Sequence, residues 1–432
     1  MRRRILLVLC LILTLLAAPV AGPLTWLGAG PSTRLGTGLA GGPLFLEFWT
    51  ISLQPFFNDY INNLITRYEV AHPGVKVRWV DVQIHAIEQK LLAAVAGGVP
   101  PDVVNLNTEF AVRLAEQGAL ADMDTAVSAA DRAKYFEGLW ASTRFKGRTY
   151  GIPWYVTPSV LAYNTEIFKK AGLDPAKPPA TEDAMIDAAR RIKDRTKIYG
   201  FMPNVDGVRM MHRFREAGLP LVSPDGKRAV FNSPAHVKVL ETYVALLKKD
   251  YFPEDALRRG YLGATERYSA GRLAMLITGP QFLLRVRKDN PQVYAKTDVA
   301  PYPLDRGSVV HAPLMNLAVP KSGRNQGEAV RFALHVTSDE SQLAFGKLVV
   351  IFPSTRKAAG DPFFARPGST PEEKARYIGA QSLRYARDLT VVVPRSGDLF
   401  RVFREAMEGA FFGKMGPKDA LEWAVREWNA RL

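Results

Sequence analysis

Leu44-Phe45-Leu46-Glu47-Phe48-Trp49 is an apolar run of strand type, and Phe57, Tyr60, Ile61, Leu64, Ile65 and Tyr68 follow it at three- and four-residue spacing. That spacing predicts an amphipathic helix, closed before His72-Pro73-Gly74. Val75-Lys76-Val77-Arg78-Trp79-Val80 then reads as a second strand. Ile84, Ile87, Leu91, Leu92 and Val95 mark a second helix ended by Gly97-Gly98, and Asp102-Val103-Val104-Asn105-Leu106 is a third strand before a helix ending at Gly118. Strand, helix, strand, helix, strand is the pattern of an α/β protein, in which ligands meet the carboxyl ends of the strands. Trp49-Thr50 and Asn107 to Glu109 occupy those ends.

Upstream, Met1-Arg2-Arg3-Arg4 precedes an apolar run from Ile5 to Ala18 broken only by Thr14, then small residues up to Gly22. This is the layout of a secretory signal peptide over residues 1–22, and the run falls short of the roughly 20 apolar residues a spanning helix needs. Residues 23–43 form a Gly/Pro-rich leader that can bury little surface. An exported chain follows, periplasmic or extracellular, either released by cleavage or tethered by an uncleaved leader. Its sole cysteine, Cys10, lies inside the signal, so disulfide frameworks and cysteine-based zinc sites are excluded from the mature protein.

The 432 residues are 47% hydrophobic and 23% charged, enough for two or three cores. Fifty-seven Lys and Arg against 42 Asp and Glu give +15, but the positive residues are spread without a dense run, which argues against nucleic acid as a partner. Downstream the chain is helix-rich. Ser233-Pro234 opens a helix with Val237, Leu240, Tyr243, Val244 and Leu247 as its inward stripe, and further helices are expected over residues 181–195, 328–336, 371–389, 399–411 and 417–432.

Five fragments, in order, resemble the family 1 extracellular solute-binding proteins of ABC importers, the group that includes maltodextrin, oligosaccharide and glycerol-phosphate binders. They are Leu91 to Val104, with Gly97-Gly98 and Pro101-Asp102-Val103; Glu116-Gln117-Gly118-Ala119-Leu120; and Gly147-Arg148-Thr149-Tyr150-Gly151-Ile152-Pro153 followed by Leu161-Ala162-Tyr163-Asn164-Thr165-Glu166. Ser269-Ala270-Gly271-Arg272-Leu273-Ala274-Met275 with Thr278-Gly279-Pro280, and Ile351-Phe352-Pro353-Ser354-Thr355, complete the set. The resemblance covers about residues 44 to 432. It implies a two-lobed periplasmic-binding-protein fold of type II, with hinged lobes of mostly parallel sheets flanked by helices. Residues 44–155 and 317–355 would form the N-terminal lobe, and residues 156–316 and 356–432 the C-terminal lobe. It implies no catalytic residue, metal or cofactor of its own, a monomer, and a partner permease whose transmembrane subunits receive the ligand.

A sugar offers apolar ring faces and a rim of hydroxyls, so its cleft should combine aromatics with short polar groups. The expected substrate contacts are Trp49, Thr50, Asn107, Glu109, Trp154, Tyr155, Thr157, Gly279, Gln281 and Phe282, with Asn316, Arg356 and Phe400 on loops placed by the resemblance. The first crossing between lobes is expected at Gly151-Ile152-Pro153, and Asn164 is expected to cap the helix that follows it rather than to touch ligand. Many sugar-binding relatives carry Gly-Pro-Trp where this chain has Gly279-Pro280-Gln281. The departure opens an alternative ligand, a glycerol phosphate or other polyol. The third reading is a secreted glycoside hydrolase, which needs two carboxylates facing one bond; Glu109 and Glu166 lie near the expected loops, with nothing in their spacing to pair them. The six histidines are scattered and form no zinc motif.

Overall fold

The computed structural model describes residues 42–83, 86–205, 207–305, 309–391, 393 and 396–432. The expected signal peptide, Cys10 and all of the leader before Gly42 lie outside the described residues. From Pro43 onward the chain forms one compact unit holding two separate main sheets.

The larger sheet runs in the order Phe352–Pro353, Ile152–Val156, Leu314–Ala318, Val103–Asn107, Leu44–Ile51, Val75–Val82. Leu44–Ile51 pairs in parallel with both Val75–Val82 and Val103–Asn107, as helical crossovers at Asn58–Ala71 and Ile87–Ala96 require. Its remaining pairs are antiparallel. The smaller sheet, Met275–Thr278, Val160–Asn164, Thr297–Ala300, is antiparallel throughout. The two-lobed α/β class holds, but neither sheet is mostly parallel: the larger is mixed and the smaller antiparallel. Leu314–Ala318, returning from the second sheet, inserts between Ile152–Val156 and Val103–Asn107 and runs against both.

Strand alternation sends neighbours to opposite faces of the larger sheet. Phe48 joins Tyr60, Leu64, Trp154, Phe332 and Phe345 in one core, while Trp49 packs with Leu91, Leu106, Phe110 and Leu114 on the other face. Each such buried side chain contributes roughly 1.5–3 kcal/mol of transfer free energy. The smaller sheet anchors a larger core containing Tyr163, Phe168, Phe214, Phe231, Phe403 and Trp428. A fourth cluster, with Leu139, Val156, Ala312, Leu314, Phe352 and Leu383, contains residues from the strands at either side of the crossing.

The chain passes between the sheets at Thr157–Ser159 and returns at Ala312–Pro313. These passages hydrogen-bond to each other, Thr157 N–H to the Pro313 carbonyl at 3.1 Å and Ser159 N–H to His311 at 3.4 Å. Gly151-Ile152-Pro153 therefore precedes the crossing: Ile152 and Pro153 belong to a sheet strand, because their backbones pair with Leu317 and Asn316. Pro371–Ser382 ends earlier than the expected residue 389, giving way to a 3-10 turn and the short strand Ala386–Arg387. In Pro234–Lys248 the buried stripe is His236, Leu240, Tyr243, Val244 and Leu246, with Val237 and Leu247 only at its margin. Ser233 Oγ meets His236 Nδ1 at 2.7 Å and makes no cap bond to the helix.

Candidate functional site

A cavity of about 340 Å³ opens beside the crossing, and both passages line it, through Thr157 and Ser159 on one and His311 and Pro313 on the other. Its remaining wall comes from the end of Met275–Thr278, the segment around Phe201 to Asn204, the helix Met210–Glu216 and the helix Ala256–Ser269.

Thr157, Gly279 and Gln281 are brought together here. A Cβ built on Gly279 would lie 2.4 Å from Gln281 Oε1 and 2.7 Å from Thr157 Cγ2, so the glycine is what allows the Gln281 amide to fold back against Thr157. Gln281 is exposed and opens the helix Gln281–Asp289, whose inward face carries Phe282, Leu283 and Val286. Phe282 is thus a core residue of the second lobe and cannot serve as a stacking platform.

The other expected contacts are dispersed. Trp49 is buried on the helix-covered face of the larger sheet, with Lys90 Nζ 4.8 Å over its ring. Thr50 is fully buried; its hydroxyl donates to Asp81 Oδ1 at 2.6 Å and accepts from Trp79 Nε1 at 2.7 Å. Asp81 in turn accepts from the backbone of Leu53 and Gln54, so Thr50 shapes a loop. Trp154 is 0% exposed, between Phe48, Tyr155 and Phe345. Strand alternation explains it: the residue before the crossing that faces the helices must be apolar and large. Asn316 is fully buried within the larger sheet, donating to Thr108 Oγ1 at 3.2 Å. Phe400 packs against the second core. Arg356 is exposed, with its guanidinium 5.3 Å over the Phe136 ring. Asn107 caps Thr108–Glu116 by accepting from Phe110 N–H at 2.8 Å, and Glu109 lies 3.7 Å from Arg113. Tyr155 is half-buried, and its hydroxyl makes no hydrogen bond among the described residues. Burial, with the Asp81 carboxylate adding to it, pushes its hydroxyl well up, so it acts as a neutral donor.

The cavity also holds residues that the sequence did not mark. Gly260 takes φ 39° and ψ −124°, a conformation only glycine adopts readily, and the resulting kink turns Tyr261 into the cavity wall, 41% exposed. Its hydroxyl lies 2.6 Å from Thr278 Oγ1. Glycine followed by an aromatic inside a helical pattern was the available signal. Arg209, His212, Arg213 and His311 form a basic wall. The rings of His212 and His311, scattered in the chain, lie 4.6 Å apart. Burial, with Arg209, Arg213 and Arg215 adding to it, holds His212 down to about 2 and His311 to about 4, the latter against the pull of Asp388. Arg213 pairs with Glu216 and donates to Tyr302 Oη at 2.6 Å. Burial raises the Glu216 carboxyl to about 7 against the pull of Arg213.

Glu109 and Glu166 do not form a hydrolytic pair. Each begins a helix after a strand of a different sheet, and Lys170 and Lys296 hold Glu166 down to about 2, leaving it no proton to donate at neutral pH. Among the described residues no group of three or more His, Cys, Asp or Glu is placed to hold a metal, and no helix is long and apolar enough to cross a membrane.

The family profile of bacterial extracellular solute-binding proteins matches residues 52–343. A solved structure from Synechococcus sp. MITs9220, named as an oligosaccharide periplasmic-binding protein, superposes with a TM-score of 0.81 at 31% identity, over 89% of this chain and 98% of that one. The cyclic alpha-maltosyl-1,6-maltose binding protein of Arthrobacter globiformis shares the fold with a TM-score of 0.78 at 19% identity, over 90% and 99% of the two chains. The sn-glycerol-3-phosphate-binding periplasmic protein UgpB of Escherichia coli (strain K12) is 24% identical over 425 residues, 90% of this chain and 92% of that one.

Proposed function

Because the chain belongs to the family of bacterial extracellular solute-binding proteins, whose members bind rather than transform their ligands, we propose that it captures a carbohydrate between its lobes and delivers it to an ABC permease. The observation that carries this reading is the cavity of about 340 Å³ that lies on the second lobe, with both crossing segments in its wall and no residue of the first lobe among its lining. A ligand there touches the hinge itself, so that its preference for the closed form becomes the driving force for closure. Thr157 and Gln281 supply hydroxyl and amide groups, and Tyr261 supplies a ring face. The lobes we propose to move are residues 44–156 with 314–353, and 160–310 with 362–432. The protein works outside the cytoplasm as a monomer, exported by its N-terminal signal.

Thermal unfolding of the mature chain against mono- and oligosaccharides, polyols and their acidic and phosphorylated forms tests the reading. Ligand at 100 times its Kd adds about 2.7 kcal/mol. A selective rise with the compound recovered intact is the expected outcome. Turnover of the hit, or no response to any carbohydrate or polyol, refutes it.

A further inference from the structure

The cavity wall is unbalanced in charge. Among its described residues the one carboxylate is Glu216, and Arg213 is already paired with it. Arg209, exposed at the turn before Met210–Glu216, has no carboxylate partner among the described residues. Arg213 keeps its Nε–H buried with no acceptor. A guanidinium withdrawn from water without full compensation is costly unless an anion completes it. The two imidazoles do not add to the charge, since both are held neutral. His311 Nδ1 accepts from Leu389 N–H at 3.3 Å, which places its proton on Nε2 as a donor. Asn204 Oδ1, also in the wall, is a buried acceptor with no partner, suited to a ligand hydroxyl. The Arg209 guanidinium, the Nε–H of Arg213, an imidazole N–H and one amide acceptor together match a ligand that has both hydroxyls and a negative group.

We infer that the ligand is an anionic carbohydrate or polyol, carrying a carboxylate or a phosphate, and that Arg209 and Arg213 bind the anion. This rests on the cavity being the capture site. The hydroxyls of a neutral sugar can accept from these N–H groups but leave the Arg209 charge without a counter-charge, whereas an oxyanion supplies both the acceptors and the opposite charge.

Calorimetric titration of the full mature chain with glucose, glucuronate, glucose 6-phosphate, glycerol and glycerol 3-phosphate separates the cases. At least one acidic probe is expected to bind tenfold or more tighter than its neutral parent, and the better of the carboxylate and phosphate arms identifies the anion. Arg209→Gln should weaken that probe about tenfold, Arg209→Lys should restore part of the loss, and the melting temperature without ligand should not move, because Arg209 is exposed and has no carboxylate partner among the described residues. Neutral probes binding as tightly as acidic ones, with Arg209→Gln unchanged, overturn the anion site while leaving carbohydrate capture standing. Failure of every acidic probe, when the thermal-unfolding panel finds a neutral ligand, likewise overturns the anion site alone; failure of that whole panel overturns both.

Discussion

Replacing Trp154 by alanine separates a core tryptophan from a ligand platform. Its ring is wholly buried, with the centroids of Tyr155, Phe345 and Phe48 at 5.0, 5.6 and 6.2 Å. An aromatic of this size removes roughly 200 Å² from water. At 25 cal/mol per Å² that is about 5 kcal/mol. A compact unfolded chain already hides part of this area, which lowers the transfer contribution to roughly 3–4 kcal/mol. Phe48 and Phe345 are themselves fixed by Phe332, Phe57 and Tyr60, so the hole cannot close and the cavity penalty restores some of the reduction. The expected loss is about 3–5 kcal/mol. With a urea dependence of roughly 2–3 kcal/mol per M, the unfolding midpoint should fall by about 1–2 M. Equilibrium urea unfolding followed by far-ultraviolet circular dichroism reads this directly, alongside titration of the folded variant with its ligand. The affinity of the folded fraction should change less than threefold. A midpoint within about 0.3 M of the parent combined with a tenfold loss of affinity would show that Trp154 touches ligand, and would refute the packing argument.

Tyr261→Ala should do the reverse: it removes a ring that is 41% exposed, so stability should hold within about 1 kcal/mol while ligand affinity drops about tenfold, as titration will report. Asn164→Ala removes the acceptor that holds Glu166 N–H and Ile167 N–H, both at 3.0 Å, and should cost about 1 kcal/mol in thermal unfolding with unchanged affinity. Acidification should destabilise the protein between pH 6.5 and 5. His212 and His311 have folded values depressed to about 2 and about 4, so below 6.5 the unfolded chain takes up protons that the folded chain refuses, each adding a slope of up to about 1.4 kcal/mol per pH unit. His236 and His335 are shifted the same way, while Glu216, raised to about 7, opposes them over the range down to its ordinary 4.5. Urea midpoints at a series of pH values check the sign, and a flat or rising profile on acidification contradicts it.

What the sequence determined by itself is the local order. Period-two runs and three- and four-residue spacing placed the strands Leu44–Ile51, Val75–Val82 and Val103–Asn107 and the helices between them, because one apolar face must be buried whatever lies opposite. Caps were legible for the same reason. Asn164 accepts two backbone N–H groups within three residues, a bond that needs no distant partner, whereas Ser233, whose hydroxyl meets His236 instead, makes no cap bond. The fragments shared with the family were legible too, and with them the two-lobed fold.

The site was not. Aromatic-polar pairs next to strand ends were the reasonable guess, yet Trp49, Trp154 and Phe282 turn inward, since an aromatic at a strand end or in a first helical turn serves a core as well as a cleft. Thr157, Gly279 and Gln281 meet only because the strands beside them pair in the smaller sheet, Val160 opposite Thr278. His212 and His311 acquire their contact, their depressed basicity and their basic neighbours from the packing of Met210–Glu216 against Val310–His311. Charge balance in a cavity is a sum over residues far apart in the chain, each paired or left free by its neighbours in space. Only the tertiary structure decides which arginine keeps a carboxylate, as Arg213 does with Glu216.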